Sequence, residues 1–504
     1  MSRYISITFG PITRVISMAK TTRGIWAASY IFSYIAKQII SPFKDRTFLL
    51  PKIDNEMFNE KYNGAGIFPD RYIFKAEEKD FDTLVAQIDA TFDALSNEIA
   101  PKEKDNAKQQ LKDIFKIFFF ENEFNEAAPN AIVKQCEETL SLIEQQDTFA
   151  PSVADSQNYL NTLFNGKNDK MAFLKEDAGI ENFKSIVEIS SGSQAPKKRY
   201  ERYIAIVYSD GDSMGKLFSS GNVEHVALSE ALLYFNRKAI DLINGFDGQP
   251  VFIGGDDLFF FAPIYNDLQK QSIFTLLQKL DSAFKEALER KGIVGPSVGP
   301  SISFGVSITY FKFPMFEAVD FAKKLLFDFA KAYNVPEEND AFSKEHYERK
   351  NNIVFSVQKH SGHTRRALLH KGFTETVDQF YKMLNSYCGL TAPGTDKNQP
   401  SAATPATEQE QKADIDGLFL HSVMHNLREH EAVLHIAVTD DNLLSNYFDN
   451  FYNEAVHESH KAFLGQLKLL LLSAHKEYQS PSAAIELAYA LLQFIHLVNF
   501  DSQK

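Results

Sequence analysis

Cysteine and tryptophan are scarce in this chain: two and one among 504 residues. Cys136 and Cys388 cannot build a four-cysteine zinc site or a disulfide framework, so a reducing cytoplasm is the expected compartment. Positive charge is also short, with 53 Lys and Arg against 66 Asp and Glu, a net charge of −13. That disfavours broad, unassisted binding to a nucleic-acid backbone and leaves room for a local groove or for nucleic acid held by partners. No apolar run reaches the roughly 18 residues of a membrane span, so no membrane is expected. IWAASYIFSYIA comes nearest and stops at Lys37. The first 44 residues contain no acid and include Arg3, Arg14, Lys20 and Arg23. A transit peptide shares that bias, but the segment reads better as a strand followed by a helix. What abounds is apolar residues, 44% of the chain with 44 Phe. Several cores are affordable, and this length predicts three or four units.

The pattern along the chain alternates between strands and helices. YISITFG (4–10) predicts a strand, and Pro11 opens a helix that runs to about Ile40. RTFLLPKI and PDRYIFKA read as short strands. From Lys75 to about Asn182 the pattern is mostly helical, with FKIFFFENE a candidate strand. SSGSQAPKKRY (190–200) is a polar boundary. Beyond it the order becomes regular. RYIAIVYSD is a buried strand, LSEALLYFNRKAIDLING an amphipathic helix, and QPVFIGG and LFFFAPI a hairpin. A helix from Asn266 to about Gly292, the strand SISFGVSITYF, a helix over 316–334 and a last strand NNIVFSVQK follow. This is the strand–helix–hairpin–helix–strand order of a ferredoxin-like sheet with one helix and one strand appended, as in palm-type nucleotide polymerases and cyclases. Residues 391–413 are low in complexity and predicted to be disordered. The remainder reads as helical.

The hairpin carries Gly254, Gly255, Asp256 and Asp257 at its tip. Its strands are apolar on both faces, which predicts a central place in the sheet. Two neighbouring carboxylates raise each other's pKa unless a cation compensates. Mg²⁺ favours carboxylate oxygen and is often completed by substrate phosphates, and glycine lets backbone approach those phosphates. A second acid cluster, in YSDGDSMGK, ends the preceding strand with Asp210 and Asp212. In a ferredoxin-like sheet that strand lies beside the hairpin, so Asp210 is expected to face Asp256 and Asp257. Three carboxylates there suit two cations for in-line attack at phosphorus. Lys216 and Lys331 are candidate phosphate counter-charges. Read alone, GGDD is an ordinary turn. DGDSMG hints at a calcium loop but fails that pattern, since Met214 and Gly221 occupy its fifth and twelfth positions. The joint arrangement, with each acid cluster ending a buried strand, favours a phosphoryl-transfer palm.

DGDSMGK followed by GGDD resembles the second palm of the large polymerase/cyclase subunit of type III CRISPR effector complexes, the Cmr-type (III-B) branch above all. ITFGPITRVISMAKTTRGIWAASYIFSYIA resembles the opening of that subunit's first palm. SISFGVSI, AKKLLFDFAK and VQKHSGH resemble later parts of the second. The resemblance implies an α+β fold with two ferredoxin-like palm domains, the first degenerate, plus two helical domains. Its boundaries here are 1–130 for the first palm, 131–196 for a helical middle domain, 197–360 for the GGDD palm and 361–504 for a C-terminal helical bundle. It implies that ATP becomes a signalling nucleotide, a cyclic oligoadenylate, when target RNA binds. Asp210, Asp256 and Asp257 would be catalytic and hold two Mg²⁺ or Mn²⁺ ions. Gly254, Gly255, Gly211, Asp212, Ser303, Lys216 and Lys331 would meet the nucleotide. Partners would be other Cmr-type subunits, with CRISPR RNA and target RNA bound mainly through the complex. Many members open with an HD nuclease domain. No His-Asp pair occurs in this chain, so no such nuclease activity is expected.

Two rivals remain: a palm that attaches AMP to another small metabolite, and a non-catalytic scaffold. A stand-alone cyclase of the GGDEF kind is disfavoured by the two-palm layout. Among other features, His421 and His425 share a helix face, which suits a metal but more often means solvated histidines. His360 and His363 flank a Ser-Gly turn and are weighed as nucleotide contacts. KIFFFENEF reads as core rather than a base-stacking platform, and LAYALLQFIHLVNF as bundle core.

Overall fold

The computed structural model describes the chain except residues 11, 18, 20, 59–61, 63, 126–127, 147–182, 193–195, 220–222, 294–299, 333–349, 359–363, 389–416, 453–457 and 500–504. The first strand forms as expected, β1 (Ser2–Gly10). The single helix expected after it is two, α1 (Ile12–Ser17) and α2 (Thr22–Ile40). The restart has a local cause. Thr21 takes extended backbone and its side chain accepts from the Gly24 N–H at 3.0 Å, an N-cap. Helix α2 is buried over most of its length, and its Trp26 indole donates to Gly64 O at 2.6 Å.

Then come β2 (Phe48–Leu50), β3 (Arg71–Ala76), α3 (Asp80–Ile99), α4 (Lys104–Ile114) and β4 (Lys116–Phe124). The strands pair antiparallel in the order β2-β3-β1-β4. Helices α5 (Pro129–Gln146) and α6 (Ile186–Ser191) lead on. Much of the expected middle helical region lies outside the described residues, as do His360, His363 and the low-complexity stretch.

The second sheet begins with β5 (Tyr203–Gly211), α7 (Met214–Ser219), α8 (His225–Gly245), β6 (Gln249–Gly254) and β7 (Asp257–Pro263). A short ribbon, β8 (Tyr265–Asn266) with β9 (Gln271–Ser272), precedes α9 (Ile273–Glu289). The helix expected from Asn266 therefore starts later, because this ribbon pairs Tyr265 with Ser272 and Lys270 turns at φ +53°. Next are β10 (Ile302–Tyr310), α10 (Met315–Lys324), a π-helical segment (Leu325–Ala330), β11 (Asn352–Gln358) and β12 (Thr364–His370). The order is β12-β11-β10-β5-β7-β6.

Two expectations are corrected here. The sheet continues past residue 360, since β12 pairs antiparallel with β11. The GGDD hairpin is not central, since β6 is the edge strand. Its two-faced apolarity has another cause: residues of the first half cover that edge. The Ile253 N–H donates to Gly66 O at 3.3 Å, and Val251 and Ile253 are wholly buried. Arg237 of α8 binds Asp54, and the Lys52 N–H donates to Ser229 Oγ at 2.5 Å.

The C-terminal bundle comprises α11 (Thr374–Cys388), α12 (Gly417–Glu429), α13 (Glu431–Ala437), α14 (Asp441–Phe451), α15 (Lys461–Tyr478) and α16 (Pro481–Asn499). By length and composition α16 matches a membrane span, yet 67% of its apolar window is buried inside the protein, the bundle-core role expected of LAYALLQFIHLVNF. Phe274 meets Phe355, Phe380 and Phe494 edge-on at 4.9, 5.3 and 5.0 Å, so α9, β11, α11 and α16 share one core. The fold is mixed α+β.

Candidate active site in an acidic cleft

Strand β5 sets the site's geometry. It lies between β10 and β7, pairing Ser209 with Leu258 and Asp210 with Ser303. Its end therefore sits beside the β6–β7 turn. That turn is two residues long, and Gly255 adopts φ +62°, where a side chain would be strained. The Asn236 amide of α8, in the orientation its surroundings satisfy, donates to Gly255 O (2.8 Å) and accepts from Gly255 N (3.1 Å). Gly254 leaves room for the Phe252 ring, which a Cβ would meet at 2.7 Å. At Gly211 a Cβ would come within 2.6 Å of Asp256 Oδ2. Two glycines and one asparagine thus fix the turn and press Asp256 against the end of β5.

The expected carboxylates converge. Asp210 at the end of β5 lies beside the turn that carries Asp256 and Asp257, since Ser209 pairs with Leu258 and Gly254 with Asp257. Burial, then the Asp210 charge, push Asp256 up to about 6. Burial and the Asp256 and Asp210 charges push Asp257 well above the usual carboxylate range. These groups resist ionising together without a nearby cation.

The cation in place is Lys331. Its ammonium binds Asp210 Oδ2, Asp212 Oδ1 at 2.8 Å, and the Asp210 and Gly211 carbonyls at 2.8 Å each. Burial opposes its charge, but Asp212 and Asp210 overcome that and hold its pKa above the ordinary lysine value. Lys331 is thus enclosed by four oxygens. Asp212 is wholly buried and accepts from Ser301 Oγ (2.5 Å), Ser303 Oγ (2.8 Å) and the Asn351 N–H (2.9 Å). Ser303, also wholly buried, braces Asp212. The Asn352 N–H donates to Ser303 Oγ at 3.2 Å, and Asn352 Oδ1 lies 2.7 Å from His370 Nδ1. A polar spine thus runs beneath the acids. Burial and the Lys371 charge hold His370 down at about 4. Lys216 lies on α7, and its side chain is outside the described positions.

A cleft of about 770 Å³ opens above the acids. The second sheet contributes Gly254, Gly255, Asp256, Asp257 and a floor of Tyr208 stacked on Phe259 with centroids 4.0 Å apart. The buried Tyr208 hydroxyl has no hydrogen-bond partner among the described residues. Lys323 and Phe327 form one wall, with Lys323 Nζ 5.3 Å from the Tyr208 ring centroid. The first half of the chain forms the other wall through Thr8 and Gly10 of β1, Asp70 just before β3, Lys116 and Phe118 of β4, and Glu144 of α5. Thr8 Oγ1 donates to Glu144 Oε1 at 2.5 Å, and Arg71 to Glu144 Oε2 at 2.7 Å. Burial raises the Asp70 pKa against the opposing charge of Arg71.

Sequence reasoning missed several of these residues. Tyr208 precedes Asp210 by two on a strand and so shares its face; that signal was available. Asn236 is a polar residue within the apolar stripe of α8, another readable anomaly. Asp70 and Glu144 had no signal, because only the packing of the two halves brings them in. Phe118 of the KIFFFENEF stripe lines the cleft, whereas Phe119 and Phe120 pack inward. His421 and His425 are exposed on α12, and no group of three metal-ligating side chains forms among the described residues.

Known proteins resemble this chain in sequence and fold. A family described as Cas10/Cmr2, second palm domain, matches residues 203–341, and one described as CRISPR-associated protein Cmr2, N-terminal, matches 4–133. The Cmr2 subunit of the Pyrococcus furiosus CRISPR system is 24% identical over 211 residues, 36% of this chain and 23% of the relative. The match thus spans under a quarter of that protein. A Csm1–Csm4 cassette in complex with cA4 superposes with TM-score 0.52 at 13% identity, over 99% of this chain and 70% of the matched one. A type III-B Cmr-beta complex in its apo state gives 0.51 at 11%, over 88% and 77%. At such identities the structures establish likeness of fold, and the two family matches together span more than half of the chain. By both sequence stretches, and by the sheets they form, this chain belongs to the Cas10/Cmr2 family of CRISPR-associated proteins.

Proposed function

We propose that the chain is the nucleotidyl-transferring subunit of an RNA-guided, Cmr-type effector in the cytoplasm. On binding of target RNA it converts ATP into a signalling nucleotide, a cyclic oligoadenylate, with pyrophosphate as the leaving group. One observation carries the reading. Asp210, Asp256 and Asp257 crowd one end of a buried sheet, Asp256 and Asp257 lining the cleft and both pushed toward protonation. A scaffold has no need of that arrangement. The family match supports it, and so does the solution of the Csm1–Csm4 cassette with cA4 and with AMPPNP.

The donor set fits divalent cations in its chemistry: three oxygen ligands of one sign, short of positive charge. The side chains do not stand as a finished cage among the described residues, and Asp210 is held by Lys331. With Mg²⁺ or Mn²⁺ bound, Asp210, Asp256 and Asp257 would hold the ions, which supply a more acidic attacking hydroxyl and a stabilised leaving group. Gly254 and Gly255 let backbone approach the phosphates, and the Tyr208–Phe259 floor excludes water. The domain layout fits two palms, the first without a GGDD turn, followed by helical regions. Other Cmr-type subunits would supply most of the contact with CRISPR RNA and target RNA, consistent with the net charge of −13.

A second reading keeps the fold and changes the acceptor. The wall opposite the GGDD turn mixes charges, Asp70 and Glu144 with Lys116 and with Arg71, which pairs Glu144; in this reading AMP passes to another small metabolite held there. Mass spectrometry separates the readings. The assembled complex is incubated with ATP, Mg²⁺ or Mn²⁺ and matching target RNA, with and without a small-molecule cell extract. Oligoadenylates that vanish in Asp256→Ala/Asp257→Ala establish the first, and an AMP conjugate seen only with extract establishes the second. No product with RNA still bound overturns both in favour of a scaffold.

A further inference from the structure

Two lysines on one continuous segment, α10 and its π-helical extension, reach the acid-bearing face of the second sheet. Their surroundings differ sharply. Lys331 has its ammonium satisfied by two carboxylates and two carbonyls, and its side chain is 10% exposed. Reaching a phosphate would require it to leave Asp212, which is wholly buried and would be left without its cation. Lys323 lines the cleft itself. It lies over the Tyr208 ring, and the charge of Asp320 acts on it, though Asp320 binds Lys324 at 2.8 Å. Phe327, 53% exposed, lines the same wall four residues on. The π segment lies between the two lysines. Its wider turn shifts the register, so that residues before it face the cleft and Lys331 after it reaches beneath β5.

We infer that the two lysines divide the work. Lys323 is the cation that meets the nucleotide's phosphates, and Lys331 is a positioning residue that holds Asp210 and the end of β5. This rests on the nucleotide reading of the cleft. Neither role follows from sequence, where Lys216 and Lys331 are the phosphate candidates. Lys323 has the properties of a phosphate contact: it is reachable, only partly desolvated, and over the ring of Tyr208, whose hydroxyl has no hydrogen-bond partner among the described residues. Burial lowers its pKa, which an arriving phosphate would reverse.

The test measures binding and turnover separately on the full complex. Isothermal titration with ATP, and with AMP as the control ligand, is run on wild type, Lys323→Ala, Lys323→Arg, Lys331→Met and Lys331→Arg. Lys323→Ala should weaken ATP binding about tenfold, a typical loss for one charge-assisted contact. It should leave AMP within about twofold, and Lys323→Arg should restore most of the loss. Lys331→Met should keep ATP affinity within about twofold while kcat falls at least about tenfold, the split expected when geometry is lost and contact is not. Lys331→Arg should fail to rescue, because a planar guanidinium does not fit the four-oxygen enclosure. If Lys331→Met does not fold, pairing it with Asp212→Asn removes the uncompensated charge and the measurement is repeated. ATP affinity that falls in Lys331→Met and holds in Lys323→Ala overturns the assignment. So does unchanged affinity in both. Wild-type complex that binds no ATP overturns the nucleotide reading itself, and the assignment with it.

Discussion

The two sheets invite comparison because they share one plan. Each has a first strand flanked by its fourth and third, with the second at the edge: β2-β3-β1-β4 and β6-β7-β5-β10. Each first strand ends in glycine, Gly10 or Gly211. They part at the hairpin. In the second sheet two residues join the strands, and the tip stays beside β5 with its acids. In the first, residues 51–70 join β2 to β3 and travel to the other sheet's edge. The same topology thus yields an acid cluster in one half and a wall with a distant connection in the other. Turn length decides which, since only a tight turn holds tip side chains against the neighbouring strand.

This contrast can be broken experimentally. The largest effect should come from the tip. Asp257→Ala should lower product formation at least about a hundredfold in the mass-spectrometric assay, the scale for removing a preorganised charged group. Glu144→Gln on the opposite wall should cost far less. Equal losses would mean that both halves carry the chemistry.

Next comes the polar spine. Asp212→Asn should destabilise the protein by about 3 kcal/mol in a denaturant melt, because it leaves Lys331 in a buried site with half its charge partners. Thr8→Val in the first sheet removes one hydrogen bond, and about 1 kcal/mol is expected.

The matched glycines sharpen the comparison further. Gly211→Ala forces a Cβ into Asp256, and overpacking of this kind costs about 1 to 3 kcal/mol. Gly10→Ala meets nothing within 4 Å and should be nearly neutral. A melt of both variants decides it, and a neutral Gly211→Ala would show that Asp256 is free to move.

The smallest effect concerns pH. Asp256 binds its proton more tightly in the folded state than unfolded, at about 6. The metal-free protein therefore loses stability as pH rises from the ordinary carboxyl range through about 6, and the loss is complete above it. Asp256→Asn removes that dependence. Its stability advantage over wild type should grow across this window. A gap that stays flat with pH would mean that the crowding is relieved by movement.

Much of the second sheet was legible in the sequence because its signals are local. Strand β5, helix α8 and the GGDD turn each follow from periodicity and from glycine at a position needing positive φ. The convergence of Asp210 with Asp256 and Asp257 followed from strand order alone. The roles of Asp212, Ser303 and Lys331 did not, because burial separates residues two apart on one strand end and sequence spacing does not reveal which of them is inside. The π segment was hidden for the same reason: LLFDFA fits an α-helix as well. The wall of Asp70, Lys116 and Glu144 depends on how two separately encoded sheets meet, which no local pattern contains.

The covering of strand β6 has a practical consequence. An uncovered edge strand offers unpaired N–H and C=O groups to any other chain that can supply a strand, which is how folded proteins begin to aggregate. Here Gly66 occupies one such position at Ile253, and the strand beneath is apolar. A fragment cut to residues 197–360 would expose this strand and also lose β12 from the opposite side. It should precipitate or pair with itself more readily than the intact chain, which would make the covering loop a condition for handling the GGDD half by itself.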